Sequence, residues 1–166
     1  QLEGDPPIRH VLAVRGSEGI NRLPEWEVEL CIDDPNLDLK ALLRTTAWLT
    51  LADNHAGQRA LAAMVIRSEF RGAFAQGSDG SDETFRYRIA LSDPRYAMTK
   101  RSGYRIFQPQ SARDIIETLH KDLGLSADLC EWRVTRPFDE RGYCVQYDET
   151  EWAFIQRLAA EEGLRC

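Results

Sequence analysis

Residues Arg141–Cys166 read RGYCVQYDETEWAFIQRLAAEEGLRC, and two periodicities meet within this stretch. Tyr143, Val145 and Tyr147 alternate with smaller or polar residues, which is the period of a strand with one buried face. The alternation therefore predicts a strand whose buried face carries these three side chains.

From Asp148 onward the period becomes that of a helix. Trp152 and Ile155 begin an apolar stripe at helical spacing. Asp148 with Glu151 three residues later has the form of a helix start, and Gly163 stands where a left-handed C-cap would lie. A strand that leads directly into a capped helix indicates packing, because the stretch offers neither a nucleophile nor a metal-ligand set.

The composition of the chain limits the classes of function. Its 166 residues are 43% hydrophobic and 29% charged, values typical of a globular protein. The formal net charge of −6 and the scattered basic residues argue against a nucleic-acid backbone as partner. No apolar run approaches the ~20 residues of a membrane-spanning helix. Because the chain opens on Gln1 and stops soon after Gly163, we expect it to be a piece of a longer protein.

Along the chain, short alternating runs separated by turn residues predict mostly strands. Arg15–Pro24 is predicted to be a loop and Arg71–Glu83 a flexible hairpin tip. Asp38 is predicted to cap a short helix, and Ser111 with Asp114 a longer one. The predicted strands are Ile8–Val14, Trp26–Ile32, Trp48–Leu51, Leu61–Phe70, Phe85–Leu91 and a short one at Trp132–Val134; the predicted helices are Leu39–Arg44 and a segment from Ser111 to Gly124.

Neither the cysteines nor the histidines form a pattern with catalytic or metal-binding chemistry. The four cysteines lie far apart with no C-x-x-C pair, so structural free thiols are predicted at Cys31 and Cys144, which fall in strand-like runs. His10 and His55 are interpreted as structural or exposed residues. His120 falls opposite the apolar side of its predicted helix and is expected to lie in water. We predict no catalytic residue, no metal site and no cofactor.

Two clusters of acidic residues could also indicate a metal site or a catalytic site. Asp34, Asn36 and Asp38 match the first ligands of a calcium-binding loop, but the required glycine and final glutamate are missing. Asp148, Glu149 and Glu151, with Glu161 and Glu162, could imitate the acid pair of a glycosidase. Glu149 and Glu151 would diverge around a helix, and a helix start favours carboxylates through its dipole, so capping or interface roles are favoured over acid–base catalysis.

Three ordered blocks of the sequence resemble VgrG proteins, the spike proteins of type VI secretion, which are related to the hub proteins of contractile phage tails. The blocks are Asp34–Leu43, the segment from Arg105 to Ile116, and the run Tyr143–Gly163. Arg44 departs from the family pattern, which has glycine there, so the end of the first helix is expected to differ. The positions taken as family-signature or structural residues are Arg105, Phe107, Gln108, Tyr143, Gln146, Tyr147, Glu149, Phe154, Arg157, Leu158, Glu161 and Gly163.

Strands joined by short turns, with few helices, predict a mainly β (α+β) fold built of antiparallel sheets with barrel-like closure and inserted helices. The resemblance implies two parts, residues 1–99 as a first hub-like β-barrel domain and residues 100–166 as a truncated helix-plus-strand region. It also implies a non-enzymatic hub piece of a homotrimeric spike. Such a spike would be assembled in the bacterial cytoplasm, would contact the secretion tube protein and effector or adaptor proteins, and would be exported. The alternative is a non-catalytic adaptor that binds a cargo protein or glycan through an exposed barrel face, and an acid–base hydrolase ranks far below both.

Overall fold

The computed structural model describes residues 1–2, 6, 8–53, 57–75, 83–127 and 130–165. Within the chain, contacts define two compact units. The first unit comprises Gln1–Gly19 and Leu23–Pro94, and the second comprises Ile20–Arg22 and Arg95–Cys166. The predicted domain boundary at residues 99 and 100 stays a prediction, because compactness alone does not establish independent folding.

The first unit is a five-stranded sheet with one short helix. Its sheet order is β1-β2-β5-β4-β3, and the β2–β5, β5–β4 and β4–β3 pairs are antiparallel. The elements are β1 (Ile8–Gly19), β2 (Arg22–Ile32), α1 (Leu39–Leu42), β3 (Thr46–Asp53), β4 (Gly57–Ala75) and β5 (Glu83–Ser92).

The core of the first unit follows from alternation in β2 and β5. Val28, Leu30 and Ile32 of β2 are buried, and Ile89 and Tyr87 lie opposite the first two of them on β5. Apolar side chains on one face of paired antiparallel strands bury that face and leave the other to charged residues. The strand predictions for β2 and β5 are therefore confirmed, and Cys31 is a buried free thiol as predicted.

The N-terminal residues complete the sheet. Leu2 forms an antiparallel bridge with Ala47 of β3, and Gln1 and Trp48 exchange two backbone hydrogen bonds of 2.8 Å. The same segment then leads into β1, which lies at the opposite end of the strand order. This pairing is the predicted barrel-like closure, and the mainly β class with inserted helices is confirmed.

The loop predicted for Arg15–Pro24 is wrong. β1 continues to Gly19 and β2 begins at Arg22, so a two-residue turn joins them, with Asn21 at a φ of 61°. Gly16 lies within β1, where the Trp26 ring occupies the space that a side chain would need. A Cβ at this position would lie 2.0 Å from a ring atom, so the strand requires glycine here. Of the predicted hairpin tip, residues 71–75 belong to β4, and 76–82 lie outside the described residues, as does His55.

The short helix α1 begins as predicted but ends earlier. The Asp38 carboxylate accepts hydrogen bonds from the backbone N–H groups of Lys40 and Ala41, each at 3.0 Å. The helix ends at Leu42 instead of Arg44. Arg44 has a φ of 68°, so it adopts the left-handed conformation at the position where the family pattern has glycine.

The described part of the second unit contains two α-helices, a 3₁₀ helix and two small sheets. Its elements are a 3₁₀ helix (Pro94–Lys100), β6 (Ser102–Phe107), β7 (Gln110–Ser111), α2 (Ala112–Asp122), β8 (Glu140–Arg141), β9 (Cys144–Thr150) and α3 (Glu151–Glu161). β6 pairs with β9 and β7 with β8, both antiparallel. Apolar residues of β6, α2 and α3 form its core, including Phe107, Ile115, Leu119, Phe154 and Leu158. Among the described residues, no helix is long and apolar enough to cross a membrane.

The predicted start of α2 is confirmed, but His120 lies in a different environment from the one predicted. Ser111 and Asp114 form a reciprocal capping box, and Gly124 follows the helix with a φ of 79°. His120 is only 8% exposed, so the prediction that it lies in water is wrong. It stands one turn after Ile116, in a second buried row that makes the packed face of α2 wider than the predicted stripe.

The strand predicted at Trp132–Val134 is also wrong, since residues 131–134 form no regular element. Trp132 is held by side chains instead of by a neighbouring strand. Its ring lies 5.5 Å from that of Phe138, and the Arg113 guanidinium lies 5.4 Å from its centre. Alternation over so few residues does not supply a strand partner.

Candidate functional site

The strand β9 buries the face opposite to the predicted one. Cys144 and Gln146 are buried, whereas Tyr143 and Tyr147 are exposed. The inner face of β9 matches that of β6, because Phe107 lies opposite Cys144. The prediction that Tyr143, Val145 and Tyr147 form the buried face is therefore wrong, although the strand itself is confirmed.

A bulge lies within β9, two residues before the strand ends. Asp148 has a φ of 49°, and the pairing of β6 with β9 shifts register between Gly103 and Tyr104. The buried Gln146 side chain bridges this bulge, since its Nε2 donates to the carbonyl of Glu149 at 2.9 Å. A buried amide that satisfies a strand carbonyl fixes the direction in which the chain enters the helix.

Thr150, not Asp148, is the N-cap of α3. Its hydroxyl accepts from the backbone N–H of Ala153 at 3.1 Å, so the predicted cap is wrong by two residues. The junction nevertheless has no linker, as predicted, because β9 ends at Thr150 and α3 begins at Glu151. Gly163 has a φ of 70° just beyond the last helical turn, which confirms the predicted left-handed position.

Glu151 is a charged residue in the interior of the second unit. It is 2% exposed, and its Oε1 accepts from Arg105 Nη2 at 2.8 Å and lies 3.2 Å from Arg101 Nη2. Arg105 also donates to Asp122 at 2.9 Å. A carboxylate removed from water in this way is stable only while its cationic partners remain in place.

Arg157 joins β9 to α3 directly. Its guanidinium donates to the carbonyl of Val145 at 2.9 Å, to Glu149 Oε1 at 2.6 Å and to Glu161 Oε1 at 3.1 Å. The hydrogen bond to Glu149, with further contributions from Glu161, raises the pKa of Arg157 above its ordinary value. One side chain thus connects the strand, the bulge and the helix.

Two further arginines hold the C-terminal end of α3. Arg141 donates to Glu161 and, at 2.7 Å, to Glu162, and Arg136 donates to Glu162 at 2.7 Å. The hydrogen bonds from Arg141 are the largest cause of the lowered pKa of both glutamates. We call Arg136, Arg141, Arg157, Glu149, Glu161 and Glu162 the arginine–glutamate network.

The network makes stability depend on pH in a definite direction. Because the folded-state pKa values of Glu161 and Glu162 lie below the ordinary value of 4.5, their stabilisation is complete above that pH and is lost as pH falls through the folded-state values. We expect the urea concentration at the midpoint of unfolding to decrease when the pH is lowered from 6 to 3. The decrease should be smaller in Arg141→Gln than in the wild-type protein. Asp114, whose pKa is lowered mainly by the Ser111 hydroxyl, supplies a background dependence that both proteins share. An equal fall in the two proteins would contradict the role given to Arg141.

The outer side of the β6–β9 sheet is an exposed apolar surface. Tyr104, Ile106 and Tyr147 of the two strands are 66%, 62% and 73% exposed, and Tyr143, which directly precedes β9, is 59% exposed. The rings of Tyr104 and Tyr147 meet edge to face with centroids 5.2 Å apart, and Ile106 lies opposite Val145. The negative charge of Asp148 is the main cause of a raised pKa at Tyr104. We call these four residues with Val145 the aromatic face.

Ten of the twelve predicted signature residues fall into three groups, and Gln108 and Gly163 stand apart. Arg105, Gln146, Glu149, Arg157 and Glu161 take part in the polar contacts around the junction, while Phe107, Phe154 and Leu158 lie in the core, where the rings of the two phenylalanines are 5.8 Å apart. Tyr143 and Tyr147 lie on the aromatic face, Gln108 is exposed, and Gly163 ends α3. Sequence reasoning missed Arg101, Arg141, Thr150 and Ile106, and no local pattern identifies their partners.

The described residues do not offer a set of three or more His, Cys, Asp or Glu side chains that could hold a metal ion. The carboxylates of Glu149, Glu151, Glu161 and Glu162 are each bound to arginine, and their arrangement fixes a strand to a helix. The geometry therefore supports a structural role. The arginine contacts fix the inner side of the junction, and the aromatic face is exposed on its outer side.

Comparison with known proteins places this arrangement in a family. Residues 17–166 match the model of the phage tail baseplate hub (GPD) family. The chain belongs to this family. It is 36% identical over 160 residues to the Pseudomonas aeruginosa type VI secretion system spike protein VgrG4b, covering 95% of this chain and 19% of the relative. It is also 36% identical over 162 residues to VgrG5 of the same organism, again covering 95% and 19%.

The resemblance to VgrG proteins is confirmed by these relatives, and this chain of the hub family spans about a fifth of their length. A solved structure shares the fold with a TM-score of 0.79, at 18% identity, over 97% of this chain and 42% of the other. That protein is Escherichia coli c3393, described as a component of the type VI secretion system with structural similarity to the T4 bacteriophage tail proteins gp27 and gp5.

Proposed function

We propose that this chain forms part of the hub of a type VI secretion spike and that its role is architectural and not catalytic. The observation that carries the proposal is the pairing of an exposed aromatic face with a strand-to-helix junction fixed from behind by arginine side chains. Its relatives are named as spike proteins, the first unit is an antiparallel sheet, and β9 of the junction pairs with β6 in a second antiparallel sheet.

We propose that the aromatic face joins this chain to further copies of itself in a homotrimer. The five side chains of the face carry no charge, whereas the chain as a whole has a net charge of −6 and its copies repel one another. Tyrosine-rich, uncharged patches are typical of the central part of protein interfaces. β6 also has a single hydrogen-bonded strand neighbour among the described strands, so its outer edge adds backbone groups to the contact.

The remaining partners follow from the proposed assembly. The trimer would seat on the secretion tube protein and carry effector or adaptor proteins, after assembly in the cytoplasm and before export through the type VI apparatus. Residues 1–99 would act as one hub-like domain and residues 100–166 as a second region. In this arrangement the arginine–glutamate network keeps the aromatic face in one orientation while the spike is ejected.

A hybrid protein tests this function. The part of VgrG4b that matches this chain is replaced by residues 1–166, and export of the hybrid into the medium is measured in a strain that lacks its own VgrG4b. We expect export of the hybrid, because the two sequences are 36% identical over 160 residues. Introducing Tyr147→Asp with Ile106→Asp should abolish export, whereas the single charge change Val11→Asp at an exposed position of the first unit should not.

A hybrid that accumulates in the cells as a folded protein but is not exported would contradict the proposed function. Export that is equal with and without the two aromatic-face substitutions would leave the hub role standing and would remove the face from it. If the chain is instead an adaptor that only binds cargo, export of the hybrid should be equal with and without the two aromatic-face substitutions. Cargo should then be lost from the medium.

A further inference from the structure

A cavity of about 410 Å³ lies within the second unit, between α2 and α3. Ile116 of α2 and Ile155 and Ala159 of α3 form its floor, and all three are at most 3% exposed. Trp132 and Leu164 also line it. Small-molecule sites have volumes of roughly 300–1,000 Å³ and are lined mainly by apolar side chains, so this cavity falls within their range.

The charges around the cavity are unbalanced. Among the described residues, its lining includes three guanidinium groups, those of Arg95, Arg133 and Arg165, and one carboxylate, that of Glu131. Arg133 donates to both oxygens of Glu131 at 3.0 Å. The lining is therefore net positive on a chain whose net charge is −6, which favours a negatively charged ligand at this place.

The thiol of Cys130 does not offset this charge. Cys130 lines the cavity and is half-buried, and burial is the main cause of a raised pKa of its thiol. The thiol therefore stays neutral at physiological pH and offers an uncharged, polarisable surface next to the apolar floor.

We propose that this cavity binds a small amphiphilic anion, whose apolar group lies on the floor formed by Ile116, Ile155 and Ala159 and whose single negative group contacts the arginines of the lining. An aromatic or medium-length acyl group fits the apolar volume. A carboxylate or sulfonate fits the guanidinium groups, which form charge-assisted hydrogen bonds with such anions. This site is independent of the aromatic face and of the proposed hub function.

The experiment uses 1-anilinonaphthalene-8-sulfonate, a fluorescent probe with an apolar ring system and one sulfonate, added to the whole chain at neutral pH. We expect saturable binding of one probe per chain and displacement by decanoate. Arg133→Gln with Arg165→Gln should weaken binding at least ~10-fold, because two of the three guanidinium groups of the lining are lost. Val134→Trp, at a half-buried position of the lining, should abolish binding by filling the cavity.

Two matched controls separate this site from other surfaces. Arg9→Gln with Arg71→Gln removes the same charge from the first unit and should leave binding unchanged. Ile106→Ser with Tyr147→Ser removes apolar groups from the aromatic face and should also leave it unchanged. Alkylation of Cys130, followed by mass spectrometry, should slow in the presence of decanoate, while the fully buried Cys31 should stay unmodified as long as the protein is folded.

The proposal is overturned by any of three results: no saturable probe binding, equal binding in the Arg133/Arg165 variant and the Arg9/Arg71 control, or loss of binding in the aromatic-face variant alone. Circular dichroism of each variant shows whether it is folded. If Val134→Trp is not folded, the comparison of the two double arginine variants and the protection of Cys130 still decide the outcome.

Discussion

Arg105→Met is expected to lower the free energy of unfolding of the second unit by about 3 kcal/mol. The substitution keeps most of the apolar stem and removes the guanidinium that contacts the buried Glu151 at 2.8 Å. Removing one partner of a buried ion pair typically costs ~3–5 kcal/mol, because the other charge remains in the interior. Arg101, 3.2 Å from the same oxygen, retains part of the interaction, which places the expectation at the lower end of that range.

Amide exchange of the α3 backbone under native conditions measures this effect, because it reports the opening of the second unit separately from the first. Arg133→Met is the matched control: it breaks an ion pair with Glu131 whose side chains are 82% and 71% exposed, and exposed pairs contribute ~0–1 kcal/mol. The double variant Arg105→Met with Glu151→Gln should recover most of the loss, since no unpaired charge is then buried. A double variant as unstable as Arg105→Met would contradict the assignment to charge burial.

The features that the sequence predicted well are determined by neighbouring residues. Ser111 and Asp114 satisfy each other three residues apart, and Asp38 caps α1 within its own turn. Alternation likewise predicted β2, because the apolar face of that strand lies on the same buried side of the sheet as that of its neighbour β5. Local spacing is sufficient where both partners lie within one turn or where a strand has one clear apolar face.

The buried face of β9 could not be predicted in the same way. Its alternation gives the period of a strand but not which face turns inward, and the larger apolar residues, Tyr143 and Tyr147, pointed to the wrong one. Gln146 is buried because its amide reaches the carbonyl of Glu149 across the bulge. That contact depends on Asp148 adopting a positive φ, which the sequence does not indicate for an aspartate.

The sequence also could not predict the ion pairs between residues that lie far apart in the chain. Arg105 and Glu151 are 46 residues apart, and Arg141 and Glu162 are 21 apart. Each residue alone is an ordinary charged residue, and only the packing of β6 and β8 near α3 gives it a partner. The cap of α3 was misplaced for a related reason: Asp148 is used in the bulge, so Thr150 takes the capping position.

The stretch Arg141–Cys166 thus has two sides with different roles. Its inner side, with Gln146, Glu151 and Arg157, fixes the strand to the helix. Its outer side contributes Tyr143, Val145 and Tyr147 to the aromatic face. The inner side explains why the face keeps its shape while exposed, and the face is the part available to a partner.

Self-association through the aromatic face is expected to disappear when Ile106 and Tyr147 are both replaced by aspartate. Burying an apolar side chain of this size contributes up to ~1.5–3 kcal/mol, so the four large residues of one face contribute roughly 6–12 kcal/mol. Association costs roughly 4–15 kcal/mol in lost freedom. Because the two quantities are of the same order, losing two of the four side chains and adding two like charges should move the equilibrium fully to the monomer.

Sedimentation equilibrium of the chain over rising protein concentration measures this self-association. We predict that the wild-type mass rises with concentration toward that of three copies. Val11→Asp should behave as the wild type does, and Ile106→Asp with Tyr147→Asp should stay at the mass of one copy. A wild-type protein that remains monomeric up to about 1 mM, or an association that the aromatic-face variant retains, would contradict the account.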